Sequence, residues 1–404
     1  MTHDKLGVAI DIGTTTVVLH LLDLLSGKRL STKSSINNQV KFGADVTSRI
    51  RHSAVYGYET LMLCIREQIS AMILDACSSS GKKSENIEYI CIAANTVMQH
   101  LSAGYSPEKM GSAPFPVVSL FGEELPAWKD LPVSKNTMIY YTPAISAYVG
   151  GDITAGLLAA GFDDITGPAI FLDIGTNGEI VLKQDNTYYC CATAAGPAFE
   201  GAEIAMGMVA EKGAIDHVKW NDRIEFSVLG GGNPTGLCGS GLLDTLAVML
   251  DIGAVDTTGR LLDNDKYWLT GCEASFGIFI TAGDIRKLQL AKAAIAAGIQ
   301  VLLHFAGIAE SEVSLLALAG GFGSYMDLKS AARTGLFPAS MLPVAKAVGN
   351  TAGEGAIMAL SSENSRLQLE NIWANCEYIE LSSMTFFNDK FVDQMAFEKD
   401  IGEE

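Results

Sequence analysis

A hexapeptide opening Asp-Ile-Gly-Thr occurs twice in this chain, as Asp11-Ile12-Gly13-Thr14-Thr15-Thr16 and as Asp173-Ile174-Gly175-Thr176-Asn177-Gly178. Each copy closes an apolar run that reads as a buried strand, and each is followed by further strand signals separated by polar turns. Around the first, Val8–Gly13, Val17–Leu22 and Leu30–Ile36 predict three strands, with a turn at Ser26-Gly27-Lys28. Around the second, Ala169–Gly175, Glu179–Leu182 and Tyr188–Ala192 predict three more, with a turn at Gln184–Asn186. Each set is a three-stranded meander.

Helical material and another buried strand follow each meander: Ile87–Ala93 in the first half, Val313–Ala319 in the second. The long pattern Ala282–Ala309 predicts a buried helix. A β-β-β-α-β-α unit repeated in one chain describes an α/β, duplicated ribonuclease-H-like (actin-like ATPase) fold, two domains with a nucleotide cleft between them. The expected division is residues 1–150 for the first subdomain, 151–361 for the second and 362–404 for a C-terminal appendage with a strand at Tyr378–Leu381. Ser106–Lys135, richer in Pro and Gly and less periodic, is expected as a lobe inserted in the first subdomain.

The repeated motif carries a chemistry. Gly13 lets backbone N–H groups approach a phosphate, and the hydroxyls of Thr14, Thr15 and Thr16 add donors. Asp11 at the strand end suits Mg²⁺, a hard cation that keeps its waters. One such hairpin could be an ordinary turn, but a structural turn has no reason to repeat the aspartate. Asp173, Gly175, Thr176, Asn177 and Gly178 then offer a second grip on a triphosphate. A third glycine segment, Leu318-Ala319-Gly320-Gly321-Phe322-Gly323-Ser324, follows a strand and precedes helical sequence, as backbone contact with a base and ribose requires. In Gly150–Gly156, before a helix expected over Thr154–Ala160, Asp152 reads equally as an N-cap or as the group aligning an attacking water. Gly349–Ala356 is its small-residue counterpart, expected in the second half, and the two helices are expected to cross between the domains as a hinge. Ala195–Ala202 (with Gly196 and Glu200) and Gly236–Leu242 (with Gly239 and Ser240) place glycines and a polar group ahead of helices. Glu200 suits ribose hydroxyls, or the first turn of a helix.

Composition excludes several classes. A formal net charge of −18 argues against nucleic-acid binding, which needs clustered Lys and Arg. No stretch of eighteen apolar residues and no basic-then-apolar start is present, so neither a membrane span nor a secretion signal is expected, and the cytoplasm is the default. The eight cysteines (Cys64, Cys77, Cys91, Cys190, Cys191, Cys238, Cys272 and Cys376) form no CxxC pair and lack zinc or iron–sulfur spacing. His3, His20, His52, His100, His217 and His304 are isolated.

With these motifs in place, the chain resembles the acetate and sugar kinase, heat-shock chaperone and actin superfamily. Asp11–Thr16 and Asp173–Gly178 resemble its phosphate motifs, Leu318–Ser324 its adenosine motif, and Gly150–Gly156 and Gly349–Ala356 its connecting motifs. Within it, Phe42–Ile50, Ala195–Ala202, Leu237–Leu242 and Asp284–Lys292 make the chain most similar to the ATPase domain of reductive activators of corrinoid proteins. The resemblance implies ATP and Mg²⁺ (held by Asp11 and Asp173, through water), ATP-driven reduction of a corrinoid protein or related metalloprotein, and homodimerisation. Asp11, Asp152 and Asp173 are the expected catalytic residues. Family members typically begin with a ferredoxin-like domain holding a [2Fe–2S] cluster. This chain starts at the ATPase region, so no iron–sulfur cluster and a separate electron donor are expected. A small-molecule kinase of the sugar-kinase type, or an ATP-switched scaffold, is the alternative.

Overall fold

The two meanders become two sheets of one plan, in a computed structural model that describes residues 5–262, 265–271, 277–323 and 325–398. His3, Cys272 and Ser324 fall outside the described residues. Strands β1 (Leu6–Ile12), β2 (Thr16–Asp23) and β3 (Arg29–Ile36) pair antiparallel in sequence. Helices α1 (Val46–Tyr56) and α2 (Glu59–Ser79) lead to β4 (Ile87–Ala94), which runs parallel to β1. After α3 (Thr96–Ala103), the short β5 (Glu124–Pro126) and then β6 (Met138–Tyr141) extend the sheet before α4 (Gly151–Ala159). Its order is β3-β2-β1-β4-β6-β5.

The second half begins with β7 (Ala169–Ile174), β8 (Gly178–Gln184) and β9 (Thr187–Thr193). A small sheet of β10 (Ala214–Trp220), β11 (Ile224–Val228) and β12 (Gly236–Leu237) precedes α5 (Gly239–Asp251). The hairpin of β13 (Lys266–Trp268) and β14 (Phe279–Thr281) precedes α6 (Ala282–Ala306). Next come β15 (Leu315–Ala319), α7 (Gly320–Gly323), α8 (Leu328–Arg333) and β16 (Ala345–Gly349). The order β16-β15-β7-β8-β9 matches β6-β4-β1-β2-β3 strand for strand, with β15 parallel to both β7 and β16. The fold is therefore α/β and duplicated ribonuclease-H-like. In both sheets the strand that carries the motif aspartate is central, flanked by one parallel and one antiparallel neighbour.

Each half has its own apolar core: one around Ile10, Leu19, Ile69 and Ile92, the other around Ile170, Leu172, Ile295 and Leu318. Helix α6 begins at a capping box, where Thr281 accepts from the Asp284 N–H and Asp284 accepts from the Thr281 N–H, and ends at Gly307 in the left-handed region (φ 66°). That glycine stops it before the expected Ala309. By length and composition α6 could cross a membrane, but 78% of its most apolar window is buried inside the protein.

The division of the chain differs from expectation. One compact unit comprises residues up to Ile165, Asn186–Tyr188 and Asn350–Tyr378; the other comprises Thr166–Asp185, Tyr189–Gly349 and the chain from Ile379. The first unit thus extends past residue 150 and recovers α9 (Thr351–Ser361) and α10 (Glu363–Ala374), expected in the second domain and the appendage. Small residues cause this. Gly355 lies so close to α4 that a Cβ there would sit 2.0 Å from the Ala155 carbonyl oxygen, so α9 packs backbone to backbone on a helix of the first unit. Both helices therefore belong to one unit instead of one to each half. The expected appendage is divided: its later part, with α11 (Thr385–Asp393), packs on α6 through Phe386 stacked at 4.4 Å on His304. Gln289 and Lys292 of α6 donate to the Met395 and Ala396 carbonyls and hold the final described residues there. The strand expected at Tyr378–Leu381 is instead Cys376–Tyr378; just past its end the buried Ile379 still donates its N–H to the Cys190 carbonyl of β9 at 2.8 Å, and Leu381 is buried.

Candidate functional site

In the first unit, β1 ends at the turn between the paired residues Ile12 and Val17. The Gly13 N–H donates to the Thr16 carbonyl at 2.9 Å, and a Cβ on Gly13 would lie 2.8 Å from that same oxygen, so only glycine fits without a shift. The outward turn is held from behind. Asn37 Nδ2 donates to the Gly13 carbonyl at 2.9 Å, Arg49 Nη2 to the Thr14 carbonyl at 2.6 Å, and the Asn37 N–H to the Thr15 carbonyl at 2.8 Å. Three successive carbonyls are thereby engaged by the protein itself, which suits a turn that offers N–H groups to an anion. Asn95, the N-cap of α3, donates to Thr14 Oγ1 at 3.1 Å.

Asp11 sits one residue before the end of β1. Burial pushes its carboxyl up to about 6, and Asn350 Nδ2, donating to Oδ2 at 3.0 Å, draws it back down. Asn350 is the N-cap of α9, so the helix that rejoins the first unit delivers a side chain to the motif aspartate. A carboxylate costly to ionise in this setting is one that a divalent cation would favour in its charged form.

Asp152 is not the N-cap of α4. Gly150 holds that place, and Asp152 is in the first turn, its Oδ1 accepting from the Ile153 N–H at 3.0 Å. The capping alternative is therefore removed. Gly150 and Gly151 are required by close packing, since a Cβ would come within 2.5 Å of the Asn95 Cα and within 2.3 Å of Thr142 Oγ1 respectively.

In the second unit the equivalent turn is one residue tighter, since Ile174 pairs with Gly178 and the Gly175 N–H donates to the Asn177 carbonyl at 2.9 Å. Thr176 Oγ1 donates to Glu200 Oε1 at 2.7 Å. Gly320 abuts Asp173: a Cβ there would sit 2.4 Å from Asp173 Oδ1, and Gly320 has φ +83°. Gly239 packs under the Phe199 carbonyl and the Phe322 ring, which would lie 1.8 Å and 2.8 Å from an added Cβ. Phe322 stacks on Phe199 with centroids 5.0 Å apart, keeping one ring half-buried. Four segments distant in sequence, around Asp173, Glu200, Gly239 and Gly320, thus converge. Gly196 and Gly321 have open space where a side chain would stand.

Other expected residues are placed differently. Glu200 closes a 3-10 turn, Pro197–Glu200, instead of opening a helix. Gly178 is buried, with Thr193 Oγ1 and Ile295 2.8 Å and 2.9 Å from a would-be Cβ, so it serves packing. Ser240 is buried with its hydroxyl 3.4 Å from Cys238 Sγ. Gly323 is buried beside Leu318. Asn37, Arg49 and Asn95 belong to no phosphate motif, although Arg49 lies within Phe42–Ile50. Their only sequence signal is a polar residue beside an apolar run. Among the described residues, no three His, Cys, Asp or Glu are grouped to hold a metal ion. In each unit taken by itself, a carboxylate at a strand end followed by a glycine turn is an arrangement that suits a phosphate-bound divalent cation.

Comparison with known proteins adds a family. A family model described as the C-terminal domain of RACo, the ASKHA domain, matches residues 167–402, and one described as the RACo middle region matches residues 6–165. The chain is 33% identical, over 97% of its length and 70% of the relative's, to the corrinoid activation enzyme RamQ of Eubacterium limosum. It is 27% identical, over 82% of its length and 66% of the relative's, to a [Co(II) methylated amine-specific corrinoid protein] reductase of Methanosarcina barkeri. A solved structure of a reductive activator for corrinoid, iron-sulfur protein superposes with a TM-score of 0.87 at 35% identity, covering 98% of this chain and 67% of that one.

Proposed function

The chain belongs to the RACo family of corrinoid activators, and from that premise we propose that it is a Mg²⁺-dependent ATPase whose ATP binding and hydrolysis energise reduction of a partner corrinoid protein. The observation that carries this is the repeated hairpin, Asp11–Thr16 and Asp173–Gly178, each with a carboxylate at the end of a central strand and a glycine-floored turn beyond it. The motif repeat supports both hairpins serving one triphosphate. Asp11 and Asp173 would hold Mg²⁺ through its water shell, and the metal would neutralise charge developing on the transferred phosphoryl group. The turn N–H groups and threonine hydroxyls would orient the phosphates, Glu200 the ribose, and the Gly320–Phe322 segment the base. Asp152 would align the attacking water.

Reduction of Co(II) needs an electron, and the described cysteines are poor carriers of one. Cys64, Cys77, Cys91, Cys190, Cys191 and Cys238 are buried free thiols and Cys376 is partly buried, with burial pushing Cys91 and Cys191 far above the ordinary thiol range. We therefore assign supply of the electron to a separate donor, and to the ATPase the task of making transfer to Co(II) favourable.

Asp173→Ala tests the reading. It should cut Mg²⁺-dependent ATP hydrolysis by about 10²-fold or more, the scale of losing a group that supports transition-state charge, while far-ultraviolet circular dichroism stays that of the parent. Equal ATPase rates in the two proteins would remove Asp173 from the site.

A further inference from the structure

Arg49 is fully buried, and none of its hydrogen bonds among the described residues goes to a carboxylate. Its Nε donates to the Gly43 carbonyl at 3.0 Å, Nη1 to Gln39 Oε1 and Met98 Sδ at 3.2 Å each, and Nη2 to the Thr14 carbonyl at 2.6 Å. A buried cation without a paired anion carries a desolvation penalty that neutral acceptors only partly offset. Burial draws even this guanidinium down to about 10, with Asp45 at the α1 N-cap pulling the other way. If the only task were to tie back a turn carbonyl, a neutral amide would do it, as Asn37 does for the adjacent Gly13 carbonyl. The charge is therefore in surplus for the fold, and it stands one peptide unit behind the turn that the motif assigns to phosphate.

We propose that Arg49 is a positioning residue for phosphate. It draws the Thr14 carbonyl inward so that the turn presents its N–H side, and it places a fixed positive charge beneath the anion without touching it. This rests on the reading of Asp11–Thr16 as a phosphate hairpin. The buried guanidinium also explains why the segment from Phe42 to Ile50 is built as it is. Gly43 must be glycine, because a Cβ would meet Ser48 Oγ at 2.4 Å and the Arg49 N–H nitrogen at 2.9 Å. Its carbonyl then anchors the Arg49 Nε. The Asp45–Ser48 capping box starts α1 so that Arg49 falls on the inner face of its first turns.

Titration calorimetry of the full chain with Mg–ATP and with adenosine separates the possibilities. Arg49→Gln keeps donors but removes the charge; Mg–ATP affinity should fall on the order of tenfold to a hundredfold, consistent with a unit charge lost several ångströms away in a partly dry setting, while adenosine affinity stays within about threefold. Arg49→Lys keeps the charge but cannot reproduce the fork; its ratio of Mg–ATP to adenosine affinity should stay near the parent's, and it carries the experiment if the glutamine variant does not fold. Equal loss for both ligands, or a collapse of the ratio in Arg49→Lys, would reduce Arg49 to a structural strut. Unchanged Mg–ATP binding in Arg49→Gln would overturn the inference outright. A parent protein that binds no Mg–ATP would instead overturn the function proposed above.

Discussion

Gly355→Ala sets two known effects against each other on one residue. Within a helix, Ala is favoured over Gly by about 1 kcal/mol, so at an exposed position the change would stabilise. At position 355 the new Cβ would stand 2.0 Å from the Ala155 carbonyl oxygen, 2.5 Å from its carbon and 2.8 Å from its Cα. These are backbone atoms of a neighbouring helix and no rotamer relieves them. α9 and α4 must part by at least about 1 Å to reach tolerable contact. Forcing atoms into a close-packed interface costs about 1–3 kcal/mol, and a contact with unyielding backbone belongs at the upper end, so overpacking outweighs the helix gain of about 1 kcal/mol and a net loss of about 2 kcal/mol is expected. Because Asn350 caps α9 and donates to Asp11, the shift should also disturb the motif aspartate. Gly353→Ala in the same helix is the control: its Cβ would meet nothing nearer than His20 Nε2 at 3.4 Å, so the propensity gain should survive. Native-state hydrogen exchange of the peptides spanning β1 and β4 reads the stability of the first unit alone. If Gly355→Ala protected those amides as well as the parent or better, the claim that close backbone packing places α9 in this unit would be wrong.

Asp152→Asn should leave stability within about 1 kcal/mol, the scale of a first-turn dipole interaction, because Gly150 and not Asp152 caps α4. If Asp152 aligns water, single-turnover hydrolysis falls about 10²-fold with ATP affinity unchanged; a parent-like rate would exclude that role. A pH dependence should trace to His100, which is fully buried with Nδ1 2.7 Å from the Thr96 carbonyl and Nε2 accepting from the Val118 N–H at 3.1 Å. Burial lowers its pKa from 6.5 to about 4, so the folded state excludes a proton that the unfolded chain accepts. The contribution is fully favourable above pH 6.5 and is lost as pH falls toward 4, by about 3 kcal/mol in all. In His100→Gln the denaturation-derived stability of the first unit should lose about one proton's worth of slope over that window; an unchanged slope would clear His100 as its source.

Local pattern was enough to read both hairpins, their carboxylates and the strands that carry them. Alternation of apolar residues, a glycine at a turn and an aspartate at a strand end are all settled within a few residues, where hydrogen-bond geometry and burial act on neighbours. The duplication followed from the same local signals appearing twice. What tertiary structure alone decided lies at long sequence separation. Arg49 reaches the Thr14 carbonyl 35 positions away, Asn95 reaches the Thr14 hydroxyl across 81, and Asn350 reaches Asp11 across 339. Residues 350–378 belong to the first unit because Gly355 meets the Ala155 backbone, a fit that depends on the shapes of two helices and leaves no periodic trace in either. Glu200 and Asp152 show the same limit. A carboxylate beside glycines is equally a cap, a first-turn anion or a ligand, and only the folded positions of Thr176 and Gly150 place Glu200 beside the second hairpin and take the cap away from Asp152, because a hydrogen bond is fixed by where its partner lies in space.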